Sequence, residues 1–419
     1  MRNLIHKINE KREEIYAWLE HHEVTNELPL YSSVDIRDGG FKVASVDMNL
    51  FPAGFNNLCE HGLEDAVSAI RDAVYSRMPE CKNILILAEE HTRNKWYLEN
   101  VRILQQIIDV AGFCVRVATI FDVRPKVFNE DIRYVELDTA TGKSLKVYSL
   151  DYLIKEMRTD SCYPDLIIMN NDLSSGIPNI LHEARIPIYP SIQAGWHARK
   201  KSAHFRILSE LVKDFSDILA CDPWLLTCLD CSVGPVDIYQ QEDRERLMDM
   251  ASHLFVKIRE KYKEHRIQEK PYILLKSDSG TYGMGVHPIE DPKQILEFNR
   301  KIKNKLYKGK GSKIISHYLL QEGVPTIHLI EEQVAEICIY QISNRFIGGF
   351  YRLNSEKSNR DNLNSKGMNF LKMCPHSNKY GTCGVQPDQN IFDLYRILAR
   401  MAGIAAHREI VQLESLVGV

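Results

Sequence analysis

Short apolar runs and longer amphipathic ones alternate through the first half of the chain. ILILA (84–88), CVRVATI (114–120) and DLIIM (165–169) have the pattern of strands, the first and last apolar enough to be buried on both faces. Between the first two, WYLENVRILQQIIDVAG (96–112) returns an apolar residue every three or four positions, so residues 84–120 predict a β-α-β unit. YVELDTATGKSLKVYSL alternates on either side of Gly142 and predicts a hairpin. Together these elements predict an open α/β domain with a mainly parallel sheet over residues 28–205. Ahead of it, Leu4, Ile8, Ile15, Trp18 and Leu19 share one face of a helix within residues 1–27.

From 206 to 270 the pattern is mostly helical, with Leu247, Ala251, Leu254, Phe255, Ile258 and Tyr262 on one stripe. Strands follow Pro271: YILLK, HYLLQE and the long hairpin AEICIYQISNRFIGGFYRLN, then a helix at 390–403 and a last short strand, EIVQL. The run NSEKSNRDNLNSKGMN (354–369) is too polar for a core and is either a solvated loop or one that faces phosphate.

A chain of 419 residues exceeds one ordinary core and predicts two or three subdomains. Its 53 basic and 56 acidic residues nearly cancel, giving −3, so nothing in the charge calls for nucleic acid or an anionic membrane. The charged first twenty residues do not fit a signal peptide, and no window is apolar enough to span a bilayer. A cytoplasmic protein is expected. The ten cysteines are scattered and read as reduced core thiols; Cys228 and Cys231 form a C-x-x-C without a second pair at zinc-ligand spacing.

The chemistry is concentrated in two places. In ILLKSDSGTYGMGV (273–286) an apolar strand ends in Lys276, then Ser279, Gly280, Gly283 and Gly285 follow. A P-loop needs its lysine after the glycines, and a dinucleotide turn needs a helix next, whereas VHPIEDP follows here. What remains is a hairpin whose glycine tip folds over phosphates while Lys276 reaches an α- or β-phosphate, or an ordinary glycine-rich hairpin. HYLLQEGVPTI favours the first: Gln321, Glu322 and Val324 belong to a linker whose backbone can bond an adenine edge. The second place is SVDIRDGGFKVASVDMNLFPAGFNNLC (33–59), too polar and glycine-rich for a core strand. Asp35 or Asp47 suits the ammonium of an amino acid, and Arg37 and Lys42 its carboxylate; Asn49, Asn56 and Asn57 add polar contacts. Arg93 in EEHTRN and His197 in SIQAGWHARKKSAH lie in loops after strands, where ligands of open α/β sheets bind.

Lysine strand, glycine loop, linker strand and an arginine-bearing hairpin come in the order used by ATP-grasp ligases, which the chain resembles from about 206 onward. Arg352 with Arg360-Asp361-Asn362-Leu363 is similar to the paired arginine strand and Arg-Gly-Asn-Leu segment of bacterial glutathione synthetases, Asp361 standing in for the glycine. That resemblance implies that Arg352, Arg360 and Asn362 meet the transferred phosphate and the acyl-phosphate. The late Glu-x-Asn that holds magnesium in such ligases is missing from HREIVQLESLVGV, so Glu336, Asp361, Asn364 and Glu414 are magnesium candidates by residue type and position.

Nearly end to end, through VDIRDGGFKVASVDMNLFPAGFNNL, HTRN and GWHARKKSAHF, the chain resembles the ATP-grasp-type glutamate–cysteine ligases of proteobacteria. This implies an α/β fold: a parallel-sheet domain for substrate, then a two-part α+β ATP-grasp domain, 206–325 with the glycine loop and 326–419. It also implies ATP and Mg2+ as cofactors, glutamate and cysteine as substrates, and the first step of glutathione synthesis. A homo-oligomer is left open. The rivals are a ligase for another amino acid or amine and a nucleotide-binding regulator without chemistry.

Overall fold

In a computed structural model describing residues 1–24, 28–91, 93–120, 134–156, 163–280, 285–309, 314–375 and 383–418, the chain builds three sheets. It opens with α1 (Arg2–Glu10) and α2 (Arg12–Val24), one amphipathic segment broken at Lys11, with Leu4, Ile8, Ile15 and Leu19 buried. β1 (Tyr31–Asp38) and β2 (Val43–Asn49) follow as an antiparallel pair, then α3 (Glu60–Tyr75).

The expected β-α-β unit is β3 (Asn83–Ala88), α4 (Lys95–Val110) and β4 (Cys114–Thr119), its strands parallel. β5 (Tyr134–Asp138) and β6 (Ser144–Ser149) make the hairpin at Gly142. After α5 (Leu150–Glu156) come β7 (Leu166–Asn170), α6 (Asn179–Glu183) and β8 (Ile188–Tyr189). The sheet runs β5-β6-β4-β3-β7-β8 and is parallel except at the hairpin. Ile84 and Ile86 pack on α3 and α4, while Leu85 and Leu87 face the other way into the largest core.

α7 (Lys201–Leu219) leads to a second sheet: β9 (Asp230–Val233), β10 (Ile273–Ser277), β11 (His287–Ile289) and β12 (Tyr318–Glu322), in the order β11-β10-β12-β9. α8 (Gln241–Glu264) buries its predicted stripe against it; α9 (Arg300–Tyr307) precedes β12. β9 escapes the sequence pattern because it has only four residues, three of them Asp, Cys and Ser.

The last segment holds β13 (Leu329–Ile330), β14 (Gln333–Ile342), β15 (Arg345–Asn354), β16 (Asn369–Met373) and α10 (Gln389–Val417). β1 and β2 do not join the parallel sheet of residues 83–189. They complete the C-terminal one, in the order β16-β15-β14-β1-β2. The physical reason is legible afterwards: 31–49 carries Asp35, Arg37, Asp38, Lys42 and Asp47, more charge than a parallel strand covered on both faces accommodates. The expected strand EIVQL is also overturned. It lies inside α10, where Glu409 and Ile410 stay buried and the packing of one long helix overrides the β-branched local signal.

Among the described residues no helix is long and apolar enough to cross a membrane.

Candidate active site

Alternation along four strands puts charge on one sheet face. β1 turns Asp35 and Arg37 to the side where β14 turns Glu336 and Cys338, and β15 Phe350, Arg352 and Asn354. Asp35 is opposite Asp47 on β2, and Glu336 is opposite Arg352 on β15. Beneath α3 this face is apolar, through Tyr340 and Phe350; toward the other strand ends it becomes ionic.

Glu336 is the hub. Its Oε2 accepts from Arg37 Nε at 2.7 Å and Nη2 at 2.6 Å, and its Oε1 accepts from Arg352 Nη1. Arg352 Nη1 also donates to Asp35 at 3.1 Å. Burial pushes the Glu336 carboxyl up, yet Arg37 and Arg352 together hold it below the usual carboxylate range. Asp35 goes the other way: burial and the nearby Glu336 and Asp47 raise it against the pull of Arg352. Asp47 is held low, because Lys201 and Lys276 outweigh its burial. Lys201 donates to Asp47 and lies 4.8 Å from the Trp196 ring centre.

The opposing wall is the sheet of β9 to β12. Lys276, on β10, donates to Val46 O at 2.9 Å and to Gln321 Oε1 at 2.6 Å. Burial, with Lys201 and Arg37 nearby, lowers its pKa, and no carboxylate among the described residues pairs with it. Next to it, Asp278 accepts from Ser202 N and Oγ, both at 2.8 Å, and so fastens the stem of the glycine hairpin to the start of α7. Gly280 has φ +116, which a side chain would strain, and Ser279 Oγ donates to Arg199 O at 3.0 Å. Residues 281–284, including Gly283, are outside the described residues.

Asp230 on β9 is pushed up to about 6 by burial and Asp278, against Lys276. A carboxyl raised on folding destabilises the fold increasingly as pH climbs from about 4 past that value. Asp230→Asn should therefore gain about 2 kcal/mol at pH 8, after discounting for partial exposure, and nothing near pH 4. Urea unfolding at both pH values checks this; an equal gain at both would show that ionisation is not the cause.

Two clefts meet between the walls. The larger, about 650 Å³ with its solvent-open space included, is lined by the aliphatic Leu274, Val286 and Val324 and by Lys276, Gly280, Lys201, Arg37 and Asn362. The smaller, about 380 Å³, is lined by Ser33, Met48, Asn49, Trp196 and Arg352. Asp35, Asp47 and Asn364 line both. The polar run after β15 is folded over the charged face: Arg37 donates to the carbonyls of Asn359 and Asp361 at 3.1 and 2.7 Å.

A family model described as GshA, glutamate-cysteine ligase, matches residues 6–410. The chain belongs to the glutamate–cysteine ligase family. It is a ligase. A crystal structure from Methylobacillus flagellatus KT, provisionally named gamma-glutamylcysteine synthetase, is 32% identical with a TM-score of 0.85, over 98% of this chain and 96% of its own. The D-alanyl-alanine synthetase A of Vibrio cholerae aligns at 12% identity and TM-score 0.34, over 77% of this chain and 81% of its own. A glutathione synthetase-like effector of Globodera pallida aligns at 12% and 0.33, over 88% of this chain and 80% of its own. No curated protein matches the chain.

Within this ligase several expected site residues lie elsewhere. Lys42, expected at a substrate carboxylate, is wholly buried: it donates to Glu322 Oε2 at 2.8 Å and lies 4.1 Å from the Trp224 ring centre. Glu322 is fully engaged as well, accepting from Trp224 Nε1 and Leu229 N. Arg360 leaves the cleft, donating to Lys270 O at 3.0 Å and stacking on Tyr272. The Asp361 carboxylate closes a local turn through Ser358 N and Oγ, and Glu414 ends α10, away from both clefts. Neither fits a shared metal, and Glu336 is taken by its arginines. Asn56 bonds Asn57 beside α3, Arg93 is in an exposed turn, and His197 lines neither cleft. Lys201 and Trp196 were missed. Both stand in the quoted GWHARKKSAH, where nothing singles out the second lysine of the pair.

Proposed function

We propose that this ligase joins the γ-carboxylate of glutamate to the amine of cysteine through an acyl-phosphate formed with ATP. The supporting observation is the meeting of two clefts at Asp35, Asp47 and Asn364, one lined by cations and aliphatic residues and the other by polar and charged side chains with Trp196 and Met48. The name of the similar Methylobacillus flagellatus protein, gamma-glutamylcysteine synthetase, supports the same reading.

In this reading the adenine lies against Leu274, Val286 and Val324. The N–H groups of Glu322 and Gly323 are bonded to Leu229 and Tyr272 carbonyls at 2.7 and 2.8 Å, while that of Val324 has no partner among the described residues and can serve a base edge. Gly323 is required there, since a Cβ would come within 2.2 Å of the Tyr272 ring. Lys276, Lys201 and Arg37 offset phosphate charge, and the latter two raise the cost of leaving Lys276 without an anion. Gln321 Nε2 and Arg352 Nε are buried donors without a partner among the described residues, which suits ligand oxygens.

Magnesium fits the oxygen donors Asp35, Asp47 and Asn364, and the raised carboxyl of Asp35 marks a place where a cation would be welcome. When bound, the metal would neutralise charge between the phosphates. The residues then act by position: the smaller cleft holds the glutamate carboxylate toward the terminal phosphate, and Arg352, Asn362 and Asn364 surround the acyl-phosphate. The cysteine amine attacks the acyl carbon, phosphate leaves, and the ammonium proton passes to solvent or a carboxylate such as Asp47.

Purified protein with ATP, magnesium, glutamate and cysteine should release ADP only when both amino acids are present, and mass spectrometry should find γ-glutamylcysteine. ADP release with another amine but not with cysteine would replace the assigned acceptor; no release with any would sink the reading.

A further inference from the structure

Far along the chain from one another, Cys59, His61, Cys374 and Cys383 bring one donor atom each to a single point, all four within 4.8 Å of one another. Cys59 is the N-cap of α3, and His61 is in its first turn. Cys374 follows β16 directly, and Cys383 precedes Val385, which is hydrogen-bonded to Lys372 and Cys374 at 2.8 and 3.0 Å. The Cys383 and Cys374 sulfurs are 3.3 Å apart, and His61 Nδ1 is 3.3 Å from Cys383 Sγ and 3.8 Å from Cys374 Sγ.

We propose that these four side chains bind one zinc ion, as a Cys3His site that fastens the start of α3 to the end of β16. Geometry favours a metal over a disulfide. Tetrahedral zinc with bonds of about 2.3 Å to sulfur and 2.0 Å to nitrogen sets donor–donor edges of about 3.5–3.8 Å. The observed separations bracket that range, whereas a disulfide needs about 2.05 Å and would engage only two of the four groups. Three thiolates and an imidazole are also the soft and borderline donors that select zinc over magnesium. Cys59 and Cys374 are buried, which suits a closed structural site rather than a reactive one.

The position gives the site its role. β16 is the edge strand beside β15, with Phe370 opposite Arg352, and the loop that carries Asn362 and Asn364 connects these two strands. A metal at the end of β16 fixes the far anchor of that loop without touching either cleft.

The test is elemental analysis of the full-length protein purified without chelator, together with cobalt(II) uptake by metal-stripped protein. About one zinc per chain and the spectrum of tetrahedral thiolate-bound cobalt are expected. Cys383→Ser should lower zinc affinity at least ~10-fold while Cys231→Ser keeps it, and stripping should lower Tm by ~5 °C or more. If the serine variant does not fold, cobalt uptake by the unaltered chain still decides. Failure of that chain to take up zinc or cobalt with its thiols titrating free would overturn the site. So would a Cys374–Cys383 disulfide in protein handled anaerobically.

Discussion

Lys276→Met should weaken ATP binding ~10–10²-fold and lower kcat/KM by ~10²–10³, while leaving the stability of the ligand-free protein within about 1 kcal/mol of its parent. The two halves of this expectation have one cause. The ammonium is buried with two neutral hydrogen-bond acceptors, Val46 O and Gln321 Oε1, and the nearby Asp47 carboxylate only partly offsets that burial. It has a third proton to donate, and a phosphate oxygen is the partner that would make its burial favourable. Without ligand the charge is a liability. Burial, Lys201 and Arg37 lower its pKa, so the unfolded chain binds that proton more tightly and stability rises as pH climbs through the folded value. Methionine removes this cost at neutral pH but leaves two acceptors short of a donor, and the terms offset. Calorimetric titration with a non-hydrolysable ATP analogue, ADP-release kinetics and thermal melts measure all three quantities. Unchanged nucleotide affinity would take Lys276 out of the site; a loss of several kcal/mol would make it a structural residue.

What could be read beforehand follows the range of the interactions. The β-α-β unit was legible because two apolar strands and the amphipathic helix that packs on one of their faces follow one another within residues 83–119. The density of Asp35, Arg37, Lys42 and Asp47 signalled a ligand-facing segment, but not that residues 31–38 form a central strand. That β1 would pair with β14 was not legible, because hydrophobic pattern marks which face is buried and not which strand covers the edge. The same blindness explains Lys42 and Glu322. Each looked like a ligand contact, and they neutralise one another across 280 residues. The cysteine–histidine cluster was hidden for a related reason: its ligands come from two segments over 300 residues apart, so no zinc spacing appears in either. Chemistry was legible where one segment supplies it, as in the lysine strand and glycine loop, and illegible where folding assembles it.

Glu336→Gln should cost about 3 kcal/mol of stability at pH 7, the low end for breaking a buried ion pair because Asp35 still pairs with Arg352. The substitution keeps the shape of the side chain but leaves Arg37 and Arg352, both buried, without the carboxylate they share. The pH dependence separates charge from packing. Since the folded carboxyl is held below its ordinary value, the stability it contributes is full above about pH 5 and fades as pH falls through the lowered pKa. The gap between parent and variant should therefore be widest at neutral pH and shrink progressively below about pH 4, as the parent's own carboxylate takes up its proton. Urea titrations across that range measure the gap directly. A gap that stays constant into acid would mean that the glutamine is disturbing packing, and a zero gap at pH 7 would mean that the two arginines find other partners. Activity should fall along with stability, because Arg37 steadies the loop that carries Asn362 through the carbonyls of Asn359 and Asp361, and Arg352 faces the smaller cleft. Glu336 is thus better understood as the residue that holds both guanidiniums in place than as a magnesium ligand.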